Sequence, residues 1–483
     1  MEKNFLKYFA FCLFLTFSAC SEQEKREKSP EQSLTLFVED SVRTLDPLEA
    51  ENFAEKTIAK NCFMTLYEIG EDLQIYPALA AKEETDTVKK IYTFEIKKGF
   101  YFRDDACFMD KKGREVTAKD VISGLTRFLH SDRAKNFKHY FAEEGGEIAD
   151  ALVFFAKSKY VFEVRLRKNF PQIKEFFAQI GTAAVPYEAL TLYENKLTKN
   201  PVGCGAFYCE KDEESGQFIL KKNEQFPKTD TERAKLPYLD KIYIENKKEH
   251  KLLYDCVKKG TNFVVEGDLP SEDSIFSKLK SQKCEIFELY YFCSFPDSGF
   301  SMSFRDKSFY ADKLSATNLN DFFPQRNFLP EGMPRTVFSE KKLFSSGNSR
   351  ENVLHKIVFP ESLRLYERVL KENFTESDCF FNEDLTQRKL YDGGYLSAGV
   401  LRVKAEAASE AIWYEGLVPE FLLNDCEGQN APDFLAQRAF LFPVWQRRAK
   451  IYFEKNILEL NLHPHHYIRF EQVSINQKLS PQQ

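Results

Sequence analysis

The stretch IYTFEIKKGFYFRD (residues 91–104), followed at residues 117–130 by TAKDVISGLTRFLH, decides the fold class. Tyr92, Phe94 and Ile96 alternate with polar residues, as on a strand with one buried face, and Gly99 marks a turn. Thr117 is placed as a helix N-cap with Asp120 three residues on, an acidic form of the capping box. Val121, Leu125 and Phe128 then share one face of the helix. The residues between, 105–116 (DACFMDKKGREV), read as a surface loop.

The same alternation of periods extends outward in both directions. Upstream, SLTLFVED (33–40) reads as a strand, SVRTLDP (41–47) as a loop, residues 54–68 as a helix and 75–85 as a turn with a short helix. Downstream, 160–166 reads as a strand, 170–180 as a helix, 200–223 as a hairpin, 235–246 as a strand and 249–260 as a helix ending at Gly260. Beyond residue 290 the pattern loosens. Residues 364–374 read as helical, 431–456 as helical in part, and 451–475 as closing strands. Helices and strands alternating over this length predict an α/β architecture of lobes rather than a single barrel.

The length of 483 residues allows about two to four domains. A formal charge of −6 excludes a broadly basic, nucleic-acid-binding surface. The 47 Phe residues, against 2 Trp, can reflect nucleotide bias or aromatic ligand surface, and composition does not separate these.

Residues 1–20, MEKNFLKYFAFCLFLTFSAC, carry Lys3 and Lys7, an apolar stretch from Tyr8 to Phe17, and small residues before Cys20. The apolar run is about half the ~20 residues a membrane-spanning helix needs, and fits a signal peptide. The polar segment 21–33 reads as a flexible tether. With Cys12 in the signal and Cys20 at its end, nine of the 11 cysteines remain, an odd number with no zinc-type spacing and no deducible connectivity.

Phe17-Ser18-Ala19-Cys20 resembles a bacterial lipobox, which implies lipidation at Cys20; an ordinary signal peptide with an incidental cysteine is the alternative. The blocks that follow resemble, in order, the extracytoplasmic solute-binding proteins of peptide ABC transporters, solute-binding protein family 5. They are Thr44-Leu45-Asp46-Pro47, Leu66-Tyr67-Glu68, Pro77-Ala78-Leu79-Ala80, Thr93 to Gly99 with Phe102, Thr117-Ala118-Lys119-Asp120-Val121, Pro201-Val202-Gly203-Cys204-Gly205-Ala206-Phe207 and Leu236 to Ile242. Cys204 and Ala206 replace the family's usual Thr and Pro, and 304–323 is at best a worn copy of its second-lobe block.

The resemblance implies an α/β, two-lobed periplasmic-binding-protein fold, type II, with an extra domain inserted in the first lobe. The expected division is 1–19 signal peptide, 20–33 lipidated tether, 34–54 and 190–268 first lobe, 55–189 inserted subdomain, 269–439 second lobe, and 440–483 return to the first lobe. It implies Glu51, Asn52 and Phe53 against the ligand backbone, where an acidic helix start is the competing reading. It implies Glu415 as the carboxylate for a ligand amino group, with Trp413 beside it, against a chance pair on a packed loop.

His463, His465 and His466 form the histidine cluster; two could share a strand face as metal ligands, but Pro464 favours a solvated turn, so no metal is expected. No cofactor is expected. No G-x-S-x-G, H-E-x-x-H or P-loop pattern occurs, so the expectation is a binding protein and not an enzyme. The resemblance implies a peptide ligand, separate permease and ATPase subunits, a monomer, and a lipid-anchored place on the periplasmic side of a bacterial membrane. Rival cargoes are nickel, haem, glutathione or an opine-like solute; an envelope lipoprotein using the scaffold for structural or adhesive contacts is a further rival.

Overall fold

A computed structural model describes residues 31–141, 150–228, 234–247, 250–269, 274–293, 304–317, 319, 321–324, 356–374, 378–382, 399–404, 406–407 and 441–476. Cys20, Trp413 and Glu415 lie outside these residues.

Strand Ser33–Val38 pairs in parallel with Lys241–Asn246 on one side and Phe263–Glu266 on the other. Its alternation sorts two cores: Leu34, Leu36 and Val38 enter the large one, while Phe37 packs on the opposite face with Leu253, Phe263 and Val265. The hairpin Phe207–Lys211/Phe218–Lys222 completes the edge, in register as Cys209↔Leu220. A separate four-stranded antiparallel sheet holds Ala80–Asp86, Ile91–Ile96, Val161–Arg165 and Phe154–Ala156. Helix Ala118–Leu129 is capped as its sequence requires, the Asp120 carboxylate accepting from Thr117 N at 2.8 Å.

Two long strands, Lys280–Cys293 and Leu441–Phe453, carry the chain between two lobes. Their outer halves pair beside Phe263–Glu266 (Lys280↔Phe453), and their far halves pair in the second lobe (Phe292↔Phe442). There Lys280–Cys293 also meets Gly399–Lys404, which leads to Lys356–Pro360 and Asp378–Asn382. The second lobe has its own apolar core of Tyr290, Phe292, Tyr310, Leu314, Ile357, Phe359 and Trp445. Two lobes, each with its own apolar packing and joined by two continuous strands, make the two-lobed α/β fold expected above. Among the described residues no helix is long and apolar enough to cross a membrane.

Several local expectations fail, among them the helix over 54–68, which ends at Cys62 and is followed by strand Tyr67–Ile69. Residues 75–85 form strands Ile75–Pro77 and Ala80–Asp86, not a turn and helix. Pairing with Ile91–Ile96 overrides the helix preference of an Ala/Glu/Lys-rich segment whose charged side chains face solvent. Residues 441–453 form a strand rather than helix, because its backbone must pair in both lobes. The histidine cluster is not solvated: His463 and His465 are each 3 % exposed. It is a tight turn, His466 N to His463 O at 2.8 Å, pressed between the lobes.

Candidate functional site at the lobe junction

In α/β sheets, ligands settle beyond the carboxyl ends of parallel strands. Here that edge, after Val38 and at Glu266, is also where the two crossing strands leave for the second lobe. Their pairing breaks there: Glu285 opposes Arg448 and Leu289 opposes Gln446, so Ile286, Phe287 and Glu288 face the single residue Arg447. Such a bulge bends the ladder and frees backbone groups that need partners. Gln446 Nε2 donates to Ile286 O at 3.1 Å, and Phe287 N donates to Pro464 O at 2.8 Å.

Charges converge on the bulge. Arg447 lies 3.7 Å from Glu288 and 3.9 Å from Glu39, and Tyr290 donates to Glu288 at 2.6 Å. Glu266 accepts from Glu39 N at 3.0 Å and lies 3.2 Å from His466 Nε2. Burial pushes the Glu266 carboxyl up to about 7, and burial together with Glu266 also raises Glu39. Folding therefore favours protonated Glu266. That contribution is complete below its ordinary value of 4.5 and is lost as pH rises through about 7. Glu266→Gln is expected to raise stability at pH 8 by about 2 kcal/mol and to flatten the fall between pH 5 and 8 in urea unfolding.

A second group of charges bridges the lobes. Helix Phe53–Cys62 is buried along its whole length, so Lys56 and Lys60, one turn apart, are enclosed. Glu406 follows the second-lobe strand Gly399–Lys404 and enters the first lobe. Its carboxylate lies 3.3 Å from Lys60 Nζ and accepts from Ile180 N at 2.8 Å. Burial opposes its charge, but Lys60 and Lys56 hold the carboxyl well below the usual range. Lys60 also donates to Ala178 O and Lys56 to His465 O, each at 3.3 Å.

His463 and His465 line this junction, and burial disfavours charge on both rings. His463 Nε2 meets Gly70 O at 3.1 Å, and its Nδ1 accepts from His465 N at 3.0 Å. His465 Nε2 meets Ala407 O at 2.9 Å, and burial lowers its pKa to about 4. Rings committed to backbone groups are not arranged as metal ligands, and no metal-holding cluster occurs among the described residues.

Of the residues expected from sequence, Glu51, Asn52 and Phe53 sit where helix Phe53–Cys62 begins, beside the loop leaving the first strand. Asn52 is the N-cap, accepting from Glu55 N at 2.9 Å and donating to Ser41 O at 3.1 Å. Glu51 is exposed, with Arg43 3.8 Å away. Phe53 is buried, its ring 5.0 Å from that of His466. Sequence reading missed Lys56, Lys60, Glu406, Glu266 and Arg447. Lysines one turn apart ordinarily read as a solvated face, and only the enclosure of this helix separates them from one. Three surface depressions, of about 480, 310 and 560 Å³, are lined by residues such as Lys97, Gly113 and Ile122 and include none of the junction residues.

Two lobes, two crossing strands and polar groups meeting across the junction define a two-lobed binding-protein fold. Residues 74–292 match the model of bacterial extracellular solute-binding proteins, family 5 Middle. The dipeptide-binding protein of Pseudoalteromonas sp. SM9913, solved with Met-Leu, superposes with a TM-score of 0.68 at 13% identity, covering 92% of this chain and 100% of that one. OppA of Listeria monocytogenes, bound to peptide, gives 0.66 at 15%, over 93% and 100%. The Escherichia coli murein tripeptide binding protein MppA gives 0.64 at 14%, over 92% and 99%. At these identities the likeness establishes the fold.

In sequence, the glutathione-binding protein GsiB of Salmonella choleraesuis is 22% identical over 180 residues, 37% of this chain and 32% of that relative. The match thus spans about a third of the length of the curated relatives.

Proposed function

We propose that this chain is the substrate-binding subunit of an ABC importer, capturing peptides between its lobes and delivering them to a membrane permease coupled to an ATPase. The observation that carries it is the bulged crossing of Lys280–Cys293 and Leu441–Phe453, with Glu406 of one lobe reaching Lys60 of the other. Two strands interrupted at one level bend there, and contacts that exist only across the junction form on closing. A ligand held by both lobes shifts the population toward the closed form by its better contacts there. Peptide cargo is supported by neighbours solved with Met-Leu and with peptide.

In this reading the tether ends in a lipid at Cys20, on the periplasmic side of a bacterial membrane, and the protein works as a monomer. The inserted subdomain runs over residues 55–189, the first lobe over 34–54 and 190–268 with the return at 440–483, and the second lobe over 269–439. Glu51, Asn52 and Phe53 line the first-lobe rim; Glu415, with Trp413 beside it, takes the ligand's amino group. Binding and release need no covalent chemistry, cofactor or metal from the chain.

The test is calorimetric titration with short peptides together with small-angle scattering. Binding accompanied by a smaller radius of gyration supports the reading; a peptide mixture that produces neither heat nor compaction ends it. Within it, Glu415→Ala is expected to weaken a free-amino peptide about tenfold or more, the scale of one charge-assisted hydrogen bond. Unchanged affinity removes Glu415 from the site. A second reading, glutathione as cargo, is favoured by the sequence match to glutathione-binding relatives, and the same titration with glutathione separates the two.

A further inference from the structure

The Lys56–Lys60–Glu406 cluster has more positive than negative charge. Two enclosed ammonium groups lie around the Glu406 carboxylate, with the charges of Arg133 and Glu288 also acting on Lys56, and Lys56 has a backbone carbonyl, not a carboxylate, as its hydrogen-bond partner. A buried ammonium without a carboxylate in direct contact is costly, and here burial lowers the Lys56 pKa against the pull of Glu406 and Glu288. The polar atoms around it are also incompletely used. Glu406 Oε1 and His465 Nδ1 are buried with no hydrogen-bond partner among the described residues. The groups around Glu406 belong to the first lobe: Lys60 and the Ile180 N–H, which meet its carboxylate, and Lys56, whose charge also acts on it; Ile180 follows the Ala178 carbonyl that orients Lys60. The carboxylate they surround comes from the second lobe, two residues beyond Lys404.

We propose that Lys56, Lys60 and the Ile180 N–H form a carboxylate-binding cradle, which Glu406 fills as an internal ligand and which a carboxylate group of the cargo takes over by displacing it. Lys60 and the Ile180 N–H converge on one carboxylate oxygen, and Lys56 adds positive charge beside them. Since the internal ligand is carried by the opposite lobe, opening removes it and presents the donors to the cleft. The cargo then carries a free carboxylate that lies against helix Phe53–Cys62 and the Ala178–Ile180 turn. The identity of the cargo as a peptide rests on the transport reading above; the cradle does not.

The test uses the full chain, its Glu406→Gln variant and the Glu406→Gln/Lys60→Met double variant, titrated with succinate and with uncharged succinamide. Removing the internal carboxylate is expected to tighten succinate binding about tenfold over the unmodified chain, and Lys60→Met is expected to reverse the gain. Succinamide should bind none of the three. Equal or weaker succinate binding by Glu406→Gln, no succinate binding by any of them, or indifference to Lys60→Met overturns the cradle. Glu406→Ala gives the same readout where Glu406→Gln folds poorly.

A second arm compares Ala-Ala-Ala with its C-terminal amide on Glu406→Gln. Preference for the free acid supports the cradle, whereas equal binding overturns it and leaves the transport reading standing. Succinate binding as expected with neither peptide bound keeps the cradle and removes peptides as cargo.

Discussion

Arg127→Met is expected to destabilise the chain by about 3–5 kcal/mol, because it strands a buried carboxylate. The Asp46 side chain is 0 % exposed and that of Arg127 6 %. Arg127 Nη1 donates to Asp46 Oδ1 at 2.7 Å and Nη2 to Oδ2 at 2.5 Å, a two-pronged pair. The same carboxylate accepts from Leu48 N at 3.0 Å and Leu197 N at 2.9 Å, while Arg127 reaches Asn195 Oδ1 at 3.0 Å and Asn195 O at 2.8 Å. One ion pair thus ties the 44–48 loop, helix Ala118–Leu129 and the 195–197 segment. Urea unfolding measures the loss. The Asp46→Asn/Arg127→Met pair should cost clearly less than the sum of the two single changes, since neither charge is then left alone. An Arg127→Met variant within 1 kcal/mol of the parent, roughly surface-mutation scale, contradicts this account.

Gly203→Ala is expected to cost about 3 kcal/mol or more, for a steric rather than an electrostatic reason. A Cβ at Gly203 would stand 2.0 Å from Cys62 O and 3.2 Å from the Phe63 ring, and one at Gly205 would stand 2.4 Å from Asn61 O. The carbonyl cannot retreat, because Gly205 N donates to Cys62 O at 2.9 Å where the helix ends on the hairpin. Gly99→Ala is the control. Its φ of 85° carries the strain of a left-handed residue, about 1–2 kcal/mol, but nothing lies within 4 Å of the added methyl. Thermal unfolding should rank Gly203→Ala well below Gly99→Ala; the reverse order contradicts the close packing of helix and hairpin.

These two sites show where sequence reading reaches. Asp46 and Gly203 stand in blocks whose order carries the family resemblance, and in this chain their packing gives those residues a reason: a charge tie and a close backbone approach. The strand 91–96, the capped helix at 118 and the hairpin were legible because period and turn chemistry agree locally. The segment Leu441–Phe453 was not, because its apolar start and the Arg447-Arg448-Lys450 charges mimic a helix. Only partners distant in sequence, Glu288 and Glu39 for Arg447 and Glu285 for Arg448, give that strand its reason. The junction was least legible of all. Lys60 meets Glu406 across 346 positions, and no local spacing records such a pair. The same holds for the histidine turn, whose rings are enclosed by Ile69, Gly70 and Ala407 from elsewhere in the chain.

Native mass spectrometry of the protein purified from its own host shows whether the two lobes of this chain hold a peptide between them. The expected spectrum carries mass excesses corresponding to short peptides, released on acid denaturation and readable by tandem fragmentation. The bare polypeptide mass, or a discrete haem or nickel adduct in place of peptides, would contradict peptide capture between the lobes.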